Sequence, residues 1–221
     1  MHYFYRMQPT IGQKWFLYVV LAIITFGIYA NTLQNGYVLD DGIVLRDNMF
    51  VKNGVQGIPD ILSTARSEGT ELDNAGDFYR PLSMVMFATE VELFGMRSGV
   101  GHFFNILVFI GCVLMLFHFL NVLMEHQKVA VAFIAAFLFA VHPIHTEVVA
   151  NIKSRDELLC YFFAFWSLNL FLNYARHKRV VQLVLGAMML FLAYLSKETV
   201  IAFLVIVPLV FFFYYNESRQ R

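Results

Sequence analysis

AVAFIAAFLFAVHPIHTEVVANIKSRDELLCYFFAFWSLNLFL, residues 130–172, sets two oily runs on either side of a link crowded with ionisable groups. The link, 142–159, holds His142, His145, Glu147, Lys153, Arg155, Asp156 and Glu157. A helix needs about 20 mostly apolar residues to cross a hydrocarbon core of about 30 Å, and runs of this kind recur along the chain. The composition agrees: 59% of the 221 residues are hydrophobic and 14% charged, against about 45–50% and about 25% in soluble domains. Mean hydropathy is +0.61. A membrane barrel is excluded, because it requires alternating segments of about ten residues. The fold class expected is an all-α polytopic membrane protein.

Working outward from the quoted stretch, six spans are expected, at 15–33, 101–124, 129–141, 157–174, 180–195 and 199–215. The third has 13 residues and rises only about 20 Å at 1.5 Å each, so it borrows flanking residues or stops short of the membrane surface. The first run is too long for a signal-peptide core and lacks a small-residue cleavage site, so it reads as a retained helix. Cys112 and Cys160 both fall in apolar runs and read as small buried hydrophobes. The chain, 1–221, is expected to be a single membrane module.

Charge gives the topology. With the N-terminus inside, eight basic residues stand against Glu125 and Glu217 on that side, a balance of +6; the opposite side receives −6. The cluster ARHKR, 175–179, lies in a short inside loop, where the positive-inside rule applies. Every chemically interesting segment then falls on the non-cytoplasmic side: VLDDG (38–42), FYRP (78–81), HPIHTE (142–147), SRDE (154–157) and SKE (196–198). The net charge of zero offers no argument for nucleic acid.

The long polar loop, 34–100, carries two helical patterns opened by proline, at Pro59 and Pro81. Glu90 and Glu92 keep the second, 81–94, from being a span, and both patterns suit helices lying in the membrane interface. Between them SEGTELDNAGD, 67–77, reads as the most mobile stretch.

Each motif has two readings. Asp40 and Asp41 supply a general base or bind a cation, or form an Asp-Gly turn. Arg80 forks onto phosphate or snorkels at the interface. His142, His145 and Glu147 resemble zinc ligands in type, but no HExxH is present; donation by the two histidines to an anion is the better reading, with a satisfied core histidine as the alternative. Ser154 and Glu157 fit a capping box opening the fourth span, which leaves Arg155 for a ligand or for Asp156. Lys197 and Glu198 sit between apolar walls, where ionisable groups face a cavity or a partner, or pair with each other across a hairpin. Together these describe an outward cleft suited to an anionic substrate reached from the membrane.

The order GYVLDDG, FYRPLS, GHFFNIL, FAVHPIHTEVVANIKSRDELL and LSKE resembles the transmembrane and tetratricopeptide-repeat-containing O-mannosyltransferases and their bacterial relatives, in the C-type glycosyltransferase superfamily with the protein O-mannosyltransferases. That resemblance covers about residues 30–215. It implies many membrane helices with a large first external loop, and inverting transfer of a sugar, often mannose, from a polyprenyl phosphate to a hydroxyl acceptor on protein or glycan. It implies Asp40 or Asp41 as base, with Arg80, His142, His145, Arg155 and Lys197 toward the donor phosphate and Glu147 and Glu198 supporting. No cofactor is required by that scheme, and a divalent cation at the acids is possible but not expected. A bacterial inner membrane is the expected location, with the endoplasmic reticulum the alternative. The chain is expected to be truncated relative to the family, lacking its repeats. A transporter or a noncatalytic scaffold are the rival readings.

Overall fold

The computed structural model describes residues 11–38, 40–65, 68–70, 78–124 and 128–219, with the side chains of 11–14 and 216–219 outside that description. Most of the stretch expected to be mobile, 67–77, therefore lies outside the described residues. Helices account for the architecture: α1 Ile11–Tyr29, α2 Met49–Lys52, α3 Ile58–Ser63, α4 Pro81–Phe94, α5 Ser98–Leu123, α6 Val129–Val141, α7 His145–Ala150, α8 Arg155–His177, α9 Val180–Ser196 and α10 Phe203–Arg219. No strand occurs among the described residues. The chain is an all-α membrane protein.

All six apolar segments are helical. By length and composition, four helical stretches among the described residues are long enough to cross a membrane: Trp15–Gln34, Ser98–Leu123, Ile152–His177 and Glu198–Tyr215. The two shorter apolar helices are Val129–Val141 and Val180–Ser196.

Local chemistry sets the boundaries. Pro143 disfavours helix at the residue before it, and α6 stops at Val141 with His142 extended at ψ 125°. Pro81 opens α4, where its missing N–H costs nothing. That helix ends at Gly95, whose φ of 72° is open to glycine and strained for other residues. Asn48 opens α2 by accepting from the backbone N–H of Phe50 and Val51 at 3.0 and 3.1 Å. Lys178 ends α8 in the left-handed region, its N–H on the Tyr174 carbonyl at 2.8 Å.

Packing divides into three cores. In the first, α1, α5 and α6 meet around Leu21, Phe109, Val113 and Phe117. Ala132, Ala136 and Ala140, four apart on one face of α6, are fully buried there. Small residues at this spacing let helix backbones approach closely in a membrane, where the hydrophobic effect does not drive association. The second core joins α5, α8, α9 and α10 around Phe119, Ala164, Leu168 and Ala193. The third is built by the 34–100 loop itself: Val51, Ile61, Met84, Phe87 and Ala88 close over Ile152. So α4 turns its apolar face into protein, and the loop is a folded cap seated on the start of α8.

Candidate functional site

The start of α8 is where the separate motifs meet. Asp41 is fully buried. One carboxylate oxygen accepts from the backbone N–H of Lys153 at 2.8 Å and the other from Val38 at 3.1 Å. Its neighbour Asp40 is exposed, with the Lys153 ammonium at 3.6 Å. Asp41 N–H also closes onto the Val38 carbonyl at 3.0 Å, which leaves Asp40 as the open carboxylate of the pair.

Arg80 stands on the opposite flank and is 7% exposed. Its guanidinium forks onto Glu198, Nε to one oxygen at 3.1 Å and Nη2 to the other at 2.5 Å, while Nη1 donates to Asp156 at 2.7 Å. The Phe78 ring lies 4.7 Å below it. Burial works against the charge on Arg80, and the Glu198 and Asp156 carboxylates more than restore it.

Lys197 reaches Glu157, with Asp156 at 4.0 Å, and is 20% exposed. Lys197 and Glu198 therefore pair with different elements instead of with each other. The expected capping box is corrected here as well: Ser154 makes no side-chain cap. The Asp156 carboxylate takes the Glu157 N–H at 2.7 Å, and Glu157 itself is drawn off by Lys197. A carboxylate one residue from the helix start needs no partner three residues away.

Arg155 is held apart from all of this. It is fully buried, with Nε on Asn105 at 2.8 Å, Nη2 on the Gly101 carbonyl at 2.7 Å, Nη1 on Glu90, and the Phe87 ring 4.4 Å away. All three nitrogens are engaged by protein. Burial pushes the Glu90 carboxyl up to about 7 against the pull of Arg155. Glu90 and Asn105 were not singled out for this role by sequence, because their partner lies far along the chain.

Beside the ionic cluster opens an apolar groove of about 310 Å³ lined by Phe109, Phe139, His145, Glu157 and Tyr161, among others. His145 packs its ring 4.3 Å from Phe139 and 5.4 Å from Phe109. Burial, helped by His142, holds its imidazole below the usual histidine range. His142 is exposed at the rim, its Nδ1 accepting from Ile144 N–H at 3.2 Å. Glu147 is exposed on α7, outside the ion-pair network. Thus Asp40, Asp41, Arg80, Arg155, Lys197 and Glu198 gather at the start of α8, His145 joins through the groove, and His142 and Glu147 stay at the periphery. Among the described residues no group of three or more side chains is placed to hold a metal ion.

No protein-family model and no solved structure matches the chain. Among curated proteins it is 31% identical over 193 residues to protein O-mannosyl-transferase Tmtc1 of Drosophila melanogaster, covering 83% of this chain and 21% of that protein. It is 34% identical over 147 residues to human protein O-mannosyl-transferase TMTC1, covering 64% and 16%. Human protein O-mannosyl-transferase TMTC3 is 32% identical over 170 residues, covering 72% and 17%. The chain spans about a fifth of the length of these relatives. They are animal proteins, which lends no support to the bacterial inner membrane expected from sequence.

Proposed function

On the premise that this chain is homologous over most of its length to the TMTC protein O-mannosyl-transferases, we propose that it takes part in inverting transfer of a sugar, mannose by that likeness, from a polyprenyl-phosphate carrier to a protein hydroxyl. The observation that carries this reading is the groove of about 310 Å³ in which Glu157, tied to Lys197, and His145 stand among aromatic walls. A lipid-borne donor needs an apolar trough with charge beside it, and here Glu157 is the acid on the wall, itself paired with Lys197. The membrane we propose is that of the endoplasmic reticulum, with the cluster on the non-cytoplasmic face.

In this scheme Asp40 is the base. Its carboxylate is open, whereas both Asp41 oxygens are occupied by backbone N–H groups. Asp40 takes the acceptor hydroxyl proton as the oxygen attacks the anomeric carbon from the side opposite the phosphate. The bond from that carbon to the phosphate oxygen breaks, and the lipid phosphate leaves with the electron pair. Lys197, the more accessible cation, releases Glu157 to meet the phosphate, and Arg80 stabilises the growing charge from behind. Asp41 and Arg155 position, the one by fixing the 152–154 segment and the other by anchoring α8 to α5 and α4. His142, His145, Glu147 and Glu198 complete the surroundings without a proton-transfer role. A divalent cation is not required.

The engagement of Arg80 by two carboxylates, and of Arg155 by Glu90, Asn105 and the Gly101 carbonyl, favours a second reading, a noncatalytic membrane subunit whose ion pairs only hold the cap in place. Transfer assayed with the full chain in nanodiscs, polyprenyl-phosphate mannose and a serine- and threonine-bearing acceptor separates the two. Asp40→Asn is expected to lower turnover at least a hundredfold with an unchanged melting point, and Asp41→Asn to lower both. Normal turnover in Asp40→Asn refutes the base assignment; no donor binding by the parent chain establishes the subunit reading.

A further inference from the structure

A second groove lies at the other end of the bundle, between α1, α5 and α8, with a volume of about 540 Å³. His118 on its wall is about 20 Å along α5 from Asn105, so the groove opens toward the opposite membrane face from the ion-pair cluster. Trp15 and Trp166 flank it, and Tyr18, His118, Asn121, Asn169 and Asn173 put polar groups into a wall that is otherwise leucine and methionine. No permanently charged side chain lines it among the described residues.

The polar groups are incompletely used. Asn169 donates both amide hydrogens, to the Met115 carbonyl at 3.0 Å and the Phe165 carbonyl at 2.8 Å. Those two acceptors fix which end of the amide is oxygen, and that oxygen is buried without a partner. The Asn121 amide oxygen, also buried, is unpartnered too. An unmatched buried acceptor costs about 1–3 kcal/mol, a cost this wall of the bundle carries. Tyr18 and His118 are joined through Nδ1 at 2.8 Å. If the tyrosine donates, the other ring nitrogen bears hydrogen and donates outward; if it accepts, that nitrogen is an acceptor. A hydroxyl satisfies both arrangements.

We infer that this groove is a binding site for an uncharged lipid with a hydroxyl headgroup, of the diacylglycerol kind. Among the described residues the lining carries no cation, and Arg176, near His118, is engaged by the Val122 carbonyl; this disfavours a phosphate headgroup, and the volume falls within the range of small-molecule sites, about 300–1,000 Å³. A further helix of a longer protein is the competing occupant. A helix is about 10 Å across with its side chains, whereas one acyl chain of the lipid is slim enough to lie along a groove of about 540 Å³. The interfacial position of Trp15, at the start of its span, suits a headgroup held at the membrane surface.

The test uses a diacylglycerol with a diazirine in one acyl chain, photolysed with the full chain in phosphatidylcholine nanodiscs and mapped by peptide mass spectrometry. Labelling is expected in 114–121 and 166–173, competed by excess unlabelled diacylglycerol. Leu114→Trp fills the groove and is expected to lower labelling about tenfold; Leu170→Trp does the same from the other wall should the first variant fail to fold. Tyr18→Phe is expected to lower it about threefold. Equal labelling of the exposed Phe212 and Phe213 on α10, equal labelling by a photoreactive phosphatidylcholine, or a crosslink from a protein segment seated in the groove would each overturn the assignment.

Discussion

Replacing Arg155 by methionine strips the buried Glu90 carboxylate of its counter-charge and leaves the Asn105 and Gly101 oxygens without their donor. Breaking a fully buried ion pair by removing one partner costs about 3–5 kcal/mol. For a domain of this size about 2–4 °C of melting temperature goes with each kcal/mol, so the midpoint is expected to fall by about 6–20 °C. The deficit carries a pH signature. Burial already raises the Glu90 carboxyl from 4.5 to about 7 with Arg155 pulling it down, and without Arg155 it rises further. The folded variant then holds a proton that the unfolded chain has released, so its stability falls as pH climbs from about 4.5 through the new, higher value. The gap between parent and variant is therefore expected to widen from pH 6 to pH 9. In the double variant Arg155→Met, Glu90→Leu no charge is stranded, and at least about 2 kcal/mol of the loss should return, the remainder reflecting the two orphaned oxygens. Fluorescence-detected melting in detergent across that pH range is the assay. A midpoint within 2 °C of the parent, a deficit flat with pH, or a double variant no better than the single refutes the reasoning.

Arg80→Lys keeps the charge but cannot fork onto both Glu198 oxygens; donor affinity measured by microscale thermophoresis is expected to fall about tenfold, about 1.4 kcal/mol. Because burial keeps His145 neutral below its ordinary 6.5, the unfolded chain takes up a proton that the folded chain refuses. Stability is then expected to decline as pH drops below about 6.5, and His145→Phe should flatten that acid limb in a melting series. Gly57→Ala would place a Cβ 1.9 Å from the Phe50 carbonyl oxygen, so the cap must shift; protease cleavage of the 34–100 loop is expected to accelerate strongly while the helical bundle persists.

What could be read along the chain was whatever depends on near neighbours. The oily runs became helices because length and hydropathy decide them, Pro143 closed α6 and Pro81 opened α4 because proline acts on the adjacent residues. The charged residues that meet at the start of α8, Arg80 on Asp156 and Lys197 on Glu157 among them, had each stood out by their charge beside apolar sequence. Their pairing had not. Glu90 looked like an obstacle to spanning, and its partner stands 65 positions away. Ser154 and Glu157 matched a local capping pattern, yet a nearer carboxylate and a distant lysine took over both halves of it. Arg155 and Lys197 read alike as cations near acids, but one became enclosed by protein and the other kept partial access to solvent, a difference set by the loop folding over α8. The third core, with Phe87 against Ile152, carries no periodic signal strong enough to announce that the loop packs on itself.

The clasp of Arg80 on Glu198 spans 118 positions, and this sets an order of events in biogenesis. Ribosomes add about 5–20 residues per second, so the arginine waits roughly 6–24 s after its own synthesis before its second carboxylate has been made. Over that interval Arg80 has Asp156 alone of its two carboxylates, and the cap is otherwise held by Asp41 on Lys153 and Glu90 on Arg155. Pulse-labelled chains arrested before position 198 should therefore be cut in the cap by added protease faster than chains arrested well beyond it.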